Sequence, residues 1–177
     1  MRYSSCICSQ LVKVLKELEA HGAISHNHEI LVIPSVNRFS MNVGKRFWPT
    51  DNSDINRAFP GDVNGDTTNQ IAGTLFDRIK GYSYGIHFAS FYMPGDFIPH
   101  VKMMDTGFQS ASLANLFGLQ YVVIRKPKPM DTVTLNYNWQ MNGTNAFSIY
   151  TNSTDMIDEK SARQAVSSVL RFLTRMG

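Results

Sequence analysis

Apolar residues fall at helical spacing in four stretches and cluster in short runs in five others, and the two kinds interleave. Residues 9–20 put Leu11, Val14, Leu15 and Leu18 on one face and predict an amphipathic helix. The run EILVIPSV at 29–36 reads as a buried strand ending near Pro34. Thr67 or Thr68 is placed to cap a helix whose apolar stripe is Ile71, Ala72, Leu75, Phe76 and Ile79. Residues 84–88 and 98–103 predict two strands, and 110–117 a helix stopped by Gly118. YVVIR at 121–125 is a β-branched strand and 146–150 a further one. A closing helix runs from about Asp158, with Ala162, Val166, Val169, Leu170 and Leu173 inward.

Alternating helices and strands predict an α/β fold, with a mixed, mostly parallel sheet flanked by helices. Between the first strand and the second helix lies a loop at 37–66. Loops of that length in a compact domain are functional or disordered, and its aromatic and arginine content argues against disorder. Within it, RFWPTDNSDINRAFPG at 46–61 shows neither helical nor strand periodicity. Such a stretch serves a surface or a site rather than a core. Its two arginines, Arg46 and Arg57, carry planar guanidinium groups suited to a carboxylate, which points to an acidic small-molecule ligand.

Composition narrows the picture. The 177 residues suit a single domain over 1–177; 43% are hydrophobic and 18% charged, as in an ordinary globular protein. The net charge of +3 is undirected, and KPK at 126–128 is too short for a nucleic-acid footprint. No apolar stretch of about 18 residues marks a membrane span. Cys6 and Cys8 stand one residue apart, a poor geometry for a disulfide, so free thiols in a reducing cytoplasm are expected.

Five histidines compete for chemistry. His21 sits at a helix end before Gly22, where it favours the dipole and the glycine supplies the turn. HNHE at 26–29 has metal-ligand residue types but lies in a polar turn that would splay them. His87 closes a strand, where α/β folds place ligands, and a pocket-like aromatic loop follows it. His100 reads as packed inside a strand.

The blocks VIPSVNRFSMNVGKRFWPTDNSDINRAFPG at 32–61 and GIHFASFYMPGDFIPHV at 85–101 resemble the succinylglutamate desuccinylase/aspartoacylase family, a branch of the zinc carboxypeptidase clan. The resemblance covers roughly residues 9–175. It implies a zinc-carboxypeptidase-like fold and a zinc-dependent hydrolase, either a deacylase of N-acyl amino acids or carboxypeptidase-like. It places His87 at the third zinc ligand, Arg46 at the arginine that polarises the scissile carbonyl, and Asn56 with Arg57 at the pair that grips the substrate carboxylate. Asp54 is expected to orient the loop.

Two departures shape the expectation. The family's first two zinc ligands come from H-G-x-E ahead of the first helix, where this chain reads MRYSSCIC. Its general base is a late-strand glutamate, where this chain has Tyr150, assigned here to substrate binding; a phenol with a pKa near 10 is a poor base. The implied Zn2+ is thus short of ligands, since a catalytic site needs about three. The chain is expected to be a partial domain lacking its first strands, incomplete or inactive as a hydrolase, and partnered by itself or by a complementing N-terminal fragment. The alternative is a non-catalytic carboxylate-binding module derived from the family.

Overall fold

The computed structural model describes residues 2–25, 27–44, 47–91, 93, 95–107, 111–152 and 158–177. Its helices are α1 (Arg2–Ala20), α2 (Arg38–Asn42), α3 (Thr67–Ile79), α4 (Leu135–Met141) and α5 (Glu159–Met176). Its strands are β1 (Tyr84–Ala89), β2 (His100–Met104), β3 (Tyr121–Arg125) and β4 (Asn145–Tyr150). They form one sheet in the order β1-β4-β2-β3. β1 with β4 and β2 with β3 are parallel, and β2 with β4 is antiparallel. This is the mixed, mostly parallel sheet that the sequence predicts.

Alternation along β4 divides the molecule into two layers. Phe147 and Ile149 point into a core built with Ile7, Leu11 and Leu15 of α1 and Ala162, Val166 and Phe172 of α5. Ala146 points the other way, into a core with Phe76 and Ile79 of α3 and Leu135 and Trp139 of α4. Since opposite residues of paired strands share a face, the register puts His87, Ser148, Tyr150, His100, Lys102 and Arg125 on the α3/α4 side. At Gly85 the indole of Trp139 lies where a side chain would stand: an added Cβ would sit 2.7 Å from its Cε3. Gly85→Ala should therefore cost about 1–3 kcal/mol by overpacking, read as a lower urea midpoint.

Four expectations need correction. The run at 29–36 is not a strand; no sheet partner reaches it, and Ile30, Leu31 and Ile33 are 37–40% exposed. A fully apolar strand needs neighbours on its edges, and among the described residues this one has none. The cap of α3 is Asp66, whose carboxylate accepts from Asn69 N–H, not Thr67 or Thr68. Thr68 is instead buried, and its N–H and hydroxyl both donate to Asp51 at 2.9 and 2.8 Å. Ala111–Phe117 is a 3-10 helix rather than an α-helix, ending before Gly118 at φ +66°; Ser110 lies outside the described residues. The loop at 37–66 holds α2 and a 3-10 turn, Ile55–Arg57. His21 accords with the expectation: its Nδ1 lies 2.6 Å from Glu17 O at the end of α1, and Gly22 has φ +67°.

Candidate active site

The cleft begins with the 3-10 turn of the long loop. Asp54 caps that turn, its carboxylate accepting from Asn56 N–H at 3.0 Å and its carbonyl from Arg57 N–H at 2.8 Å. Asp54 thus orients the loop. Asn56 spends its carbonyl oxygen on the start of α4, accepting from Leu135 N–H at 3.3 Å. Arg57 is exposed, lines the cleft, and donates from Nη1 to Met130 O at 3.1 Å. The loop is therefore tied to the segment before α4, which the sequence alone did not assign.

Arg57 does not stand alone. Arg125, at the end of β3, forms a two-pronged pair with Asp131, at 2.6 and 2.7 Å. Asp131 also accepts from Lys128 N–H at 2.7 Å, so Asp131 and its turn present Arg125 in a fixed orientation. The Arg125 guanidinium holds the Asp131 carboxyl below its usual range, with Arg57 adding to the effect. Lys102 joins them from β2, with Nζ 5.4 Å from the centroid of the Tyr150 ring. Burial and the Arg125 charge push the Lys102 amine down, and Asp131 opposes them. Arg125, Lys102 and Asp131 were missed in the sequence, although strand alternation would have put both cations on the His87 face.

His87 and Tyr150 complete this floor. His87 is half-buried in β1, and desolvation pushes its imidazole below its ordinary value while the Asp54 charge pulls it back. Tyr150 stacks on His100, with centroids 4.8 Å apart and planes at 5°, and meets Phe91 at 4.9 Å. Burial raises the Tyr150 phenol, against the opposing charges of Arg125 and Arg57. It is a neutral donor near pH 7 and no base. Asn136, on α4, donates to Ser148 at 2.7 Å while its buried carbonyl oxygen is left without a partner. Both residues line the cleft. A buried orphan acceptor there is suited to an N–H of a ligand.

Arg46 and His26 lie outside the described residues. His28 and Glu29 are exposed, and Glu29 accepts from the Tyr82 hydroxyl at 2.7 Å. Among the described residues no three His, Cys, Asp or Glu side chains converge to hold a metal ion. His87 with Asp54 falls short of the ligand set that zinc requires, so these residues do not fit the metal and no step is derived through it.

The Asp131–Arg125 pair has a pH signature. Its folded carboxyl lies below the ordinary 3.8, so its stabilisation is complete above that pH and is lost as pH falls through the folded value. Asp131→Asn should cost about 2 kcal/mol at pH 7, with the gap to the parent protein closing as acid protonates the folded carboxyl. Urea melts at pH 7 and in acid would check this.

Comparisons with known proteins agree with the fold. A family profile described as the succinylglutamate desuccinylase/aspartoacylase catalytic domain matches residues 7–175. No match was found among curated protein sequences. A succinylglutamate desuccinylase/aspartoacylase structure from Rhodobacter sphaeroides superposes with a TM-score of 0.72 at 22% identity, over 82% of this chain and 44% of that one. The product-bound ectoine utilization protein EutE (DoeB) from Ruegeria pomeroyi gives 0.76 at 19% identity, over 98% and 53%. The succinylglutamate desuccinylase from Chromobacterium violaceum gives 0.63 at 18%, over 93% and 57%. At such identities the likeness establishes the fold, and the chain spans about half the length of these structures.

Proposed function

Because this chain belongs to the succinylglutamate desuccinylase/aspartoacylase family, we propose that its cleft binds a small N-acyl amino acid by its carboxylate, and that the chain alone binds without hydrolysing. The observation that carries this reading is that Arg57, Arg125 and Lys102 all line the cleft and all lie within electrostatic reach of Asp131. Among the described residues only Arg125 of the three has a carboxylate partner committed at hydrogen-bond distance. A carboxylate arriving there gains charge-assisted hydrogen bonds from Arg57, whose fork is pre-aligned by the Met130 contact. Tyr150 can donate a further bond, and Asn136 can accept from the amide N–H that N-acyl amino acids carry.

Family membership implies a deacylase, and zinc chemistry with it. The resemblance assigns His87 to the metal and Arg46 to the scissile carbonyl, roles that the described residues do not complete. Hydrolysis then needs ligands and a base beyond the described residues. The free thiols of Cys6 and Cys8 support a reducing, cytoplasmic setting. No described helix is long and apolar enough to cross a membrane.

The test is to incubate the purified chain with N-succinylglutamate, with and without added zinc. Saturable binding with no succinate released above the buffer rate is expected. Zinc-dependent turnover that disappears in His87→Ala would overturn the binding-only reading in favour of a complete metalloenzyme.

A further inference from the structure

Lys102 stands where a lysine is out of place. Of the lysines among the described residues, Lys13, Lys16, Lys80, Lys126, Lys128 and Lys160 are exposed, and Lys102 alone is half-buried. It sits in β2 between Ser148 of β4 and Val123 of β3, and it lines the cleft. A charge held on an inner sheet face normally pairs with a carboxylate, which offsets the lost hydration. Among the described residues no Asp or Glu reaches its Nζ at ion-pair distance. The nearby Asp131 is committed to Arg125 through both of its oxygens. Lys102 has instead the face of Tyr150, 5.4 Å from Nζ to the centroid, a ring that also stacks on His100.

These surroundings favour an uncharged amine. Desolvation acts first and the Arg125 charge second, with Asp131 opposing them. A lysine that is partly dry and beside another cation is the setting in which an amine becomes a nucleophile towards a carbonyl carbon. Arg57 is close by, since both Asp131 and Tyr150 feel its charge. Its guanidinium can anchor a carboxylate while the ketone of the same small molecule reaches Lys102.

We propose that Lys102 is a nucleophile that condenses with the ketone of a small 2-oxo acid whose carboxylate is held by Arg57. The Nζ lone pair attacks the carbonyl carbon, and one proton passes from nitrogen to oxygen to give a carbinolamine. The hydroxyl then leaves as water with a proton from the Tyr150 phenol, and the remaining nitrogen proton restores that phenol. The product is an imine between Lys102 and the ligand. One water is released, and nothing is oxidised or reduced. The inference rests on the carboxylate reading for its anchor and adds a covalent step which that reading does not contain.

The probe is pyruvate with cyanoborohydride, which reduces an imine to a stable secondary amine, and the control is the uncharged pyruvamide. Peptide mass mapping of the full chain should find the adduct on Lys102, about ten-fold or more above any other lysine. Arg57→Ala should lower it about ten-fold or more, and excess N-succinylglutamate should suppress it. Lys102→Arg keeps the charge but offers no amine, so it should abolish the adduct while circular dichroism stays unchanged. An adduct spread evenly over the lysines, or equal labelling of Lys102 by pyruvamide, would overturn the inference. Titration of the unmodified chain with N-succinylglutamate separates the two readings. Binding there with no adduct on Lys102 overturns the covalent step alone, and the absence of both overturns the anchor as well.

Discussion

Gly61→Ala should lose about 3–5 kcal/mol of stability, a large part of the 5–15 kcal/mol available to a typical domain. Gly61 stands at φ +93°, a region where any side chain is strained. Space is the harder constraint. A Cβ there would lie 2.0 Å from Gly73 N and 2.4 Å from Gly73 Cα, both backbone atoms of α3 that cannot swing aside. Phe59, two residues earlier, is buried against Phe76 of the same helix, with ring centroids 6.4 Å apart. The Phe-Pro-Gly turn is thus the clamp that fixes the long loop to α3. The reciprocal change separates crowding from glycine loss in general. At Gly73 an added Cβ meets nothing nearer than 3.4 Å, so Gly73→Ala should be neutral or stabilising by up to about 1 kcal/mol. Urea denaturation of both variants tests the pair. A loss below 1 kcal/mol at Gly61 would mean that loop and helix do not meet as described.

Arg57→Ala should weaken binding of N-succinylglutamate by roughly 10- to 100-fold, the worth of a charge-assisted, forked hydrogen bond. Stability should change by no more than about 0.5 kcal/mol, because the side chain is exposed and its Met130 bond is peripheral. Arg57→Lys keeps the charge but loses the planar fork, so it should fall between the two. Isothermal titration gives all three affinities. Unchanged affinity in Arg57→Ala would remove this residue from the site.

Much of this architecture was legible because local patterning and tertiary context agree. YVVIR spans β3 residue for residue, and Asp158 caps α5 where the closing helix was expected to begin. The segment at 29–36 fails for a physical reason: strand patterning describes a capacity to be covered, and pairing depends on neighbours. α4 escaped notice because LNYNWQM is short and alternates apolar with polar side chains, which is not a helical pattern. Asn136, Asn138 and Gln140 are buried there all the same, with Asn138 bonded to two backbone carbonyls. The site was half legible. Arg57 and His87 were found through the motifs around them, and the structure brings both to one cleft. Arg125, Asp131 and Lys102 belong to no motif and become neighbours only through the β2–β3 register and the turn before α4.

The central claim is that Arg57, with Arg125 and Lys102 beside it, receives a substrate carboxylate. It is tested most directly by following the arginine Nε–H resonances during a titration with N-succinylglutamate, alongside its neutral amide analogue. The account predicts a saturable 1:1 shift of the Arg57 resonance, a smaller one at the Asp131-bound Arg125, and neither with the neutral analogue. An unmoved Arg57 resonance at saturation, or equal shifts with the uncharged compound, would contradict it.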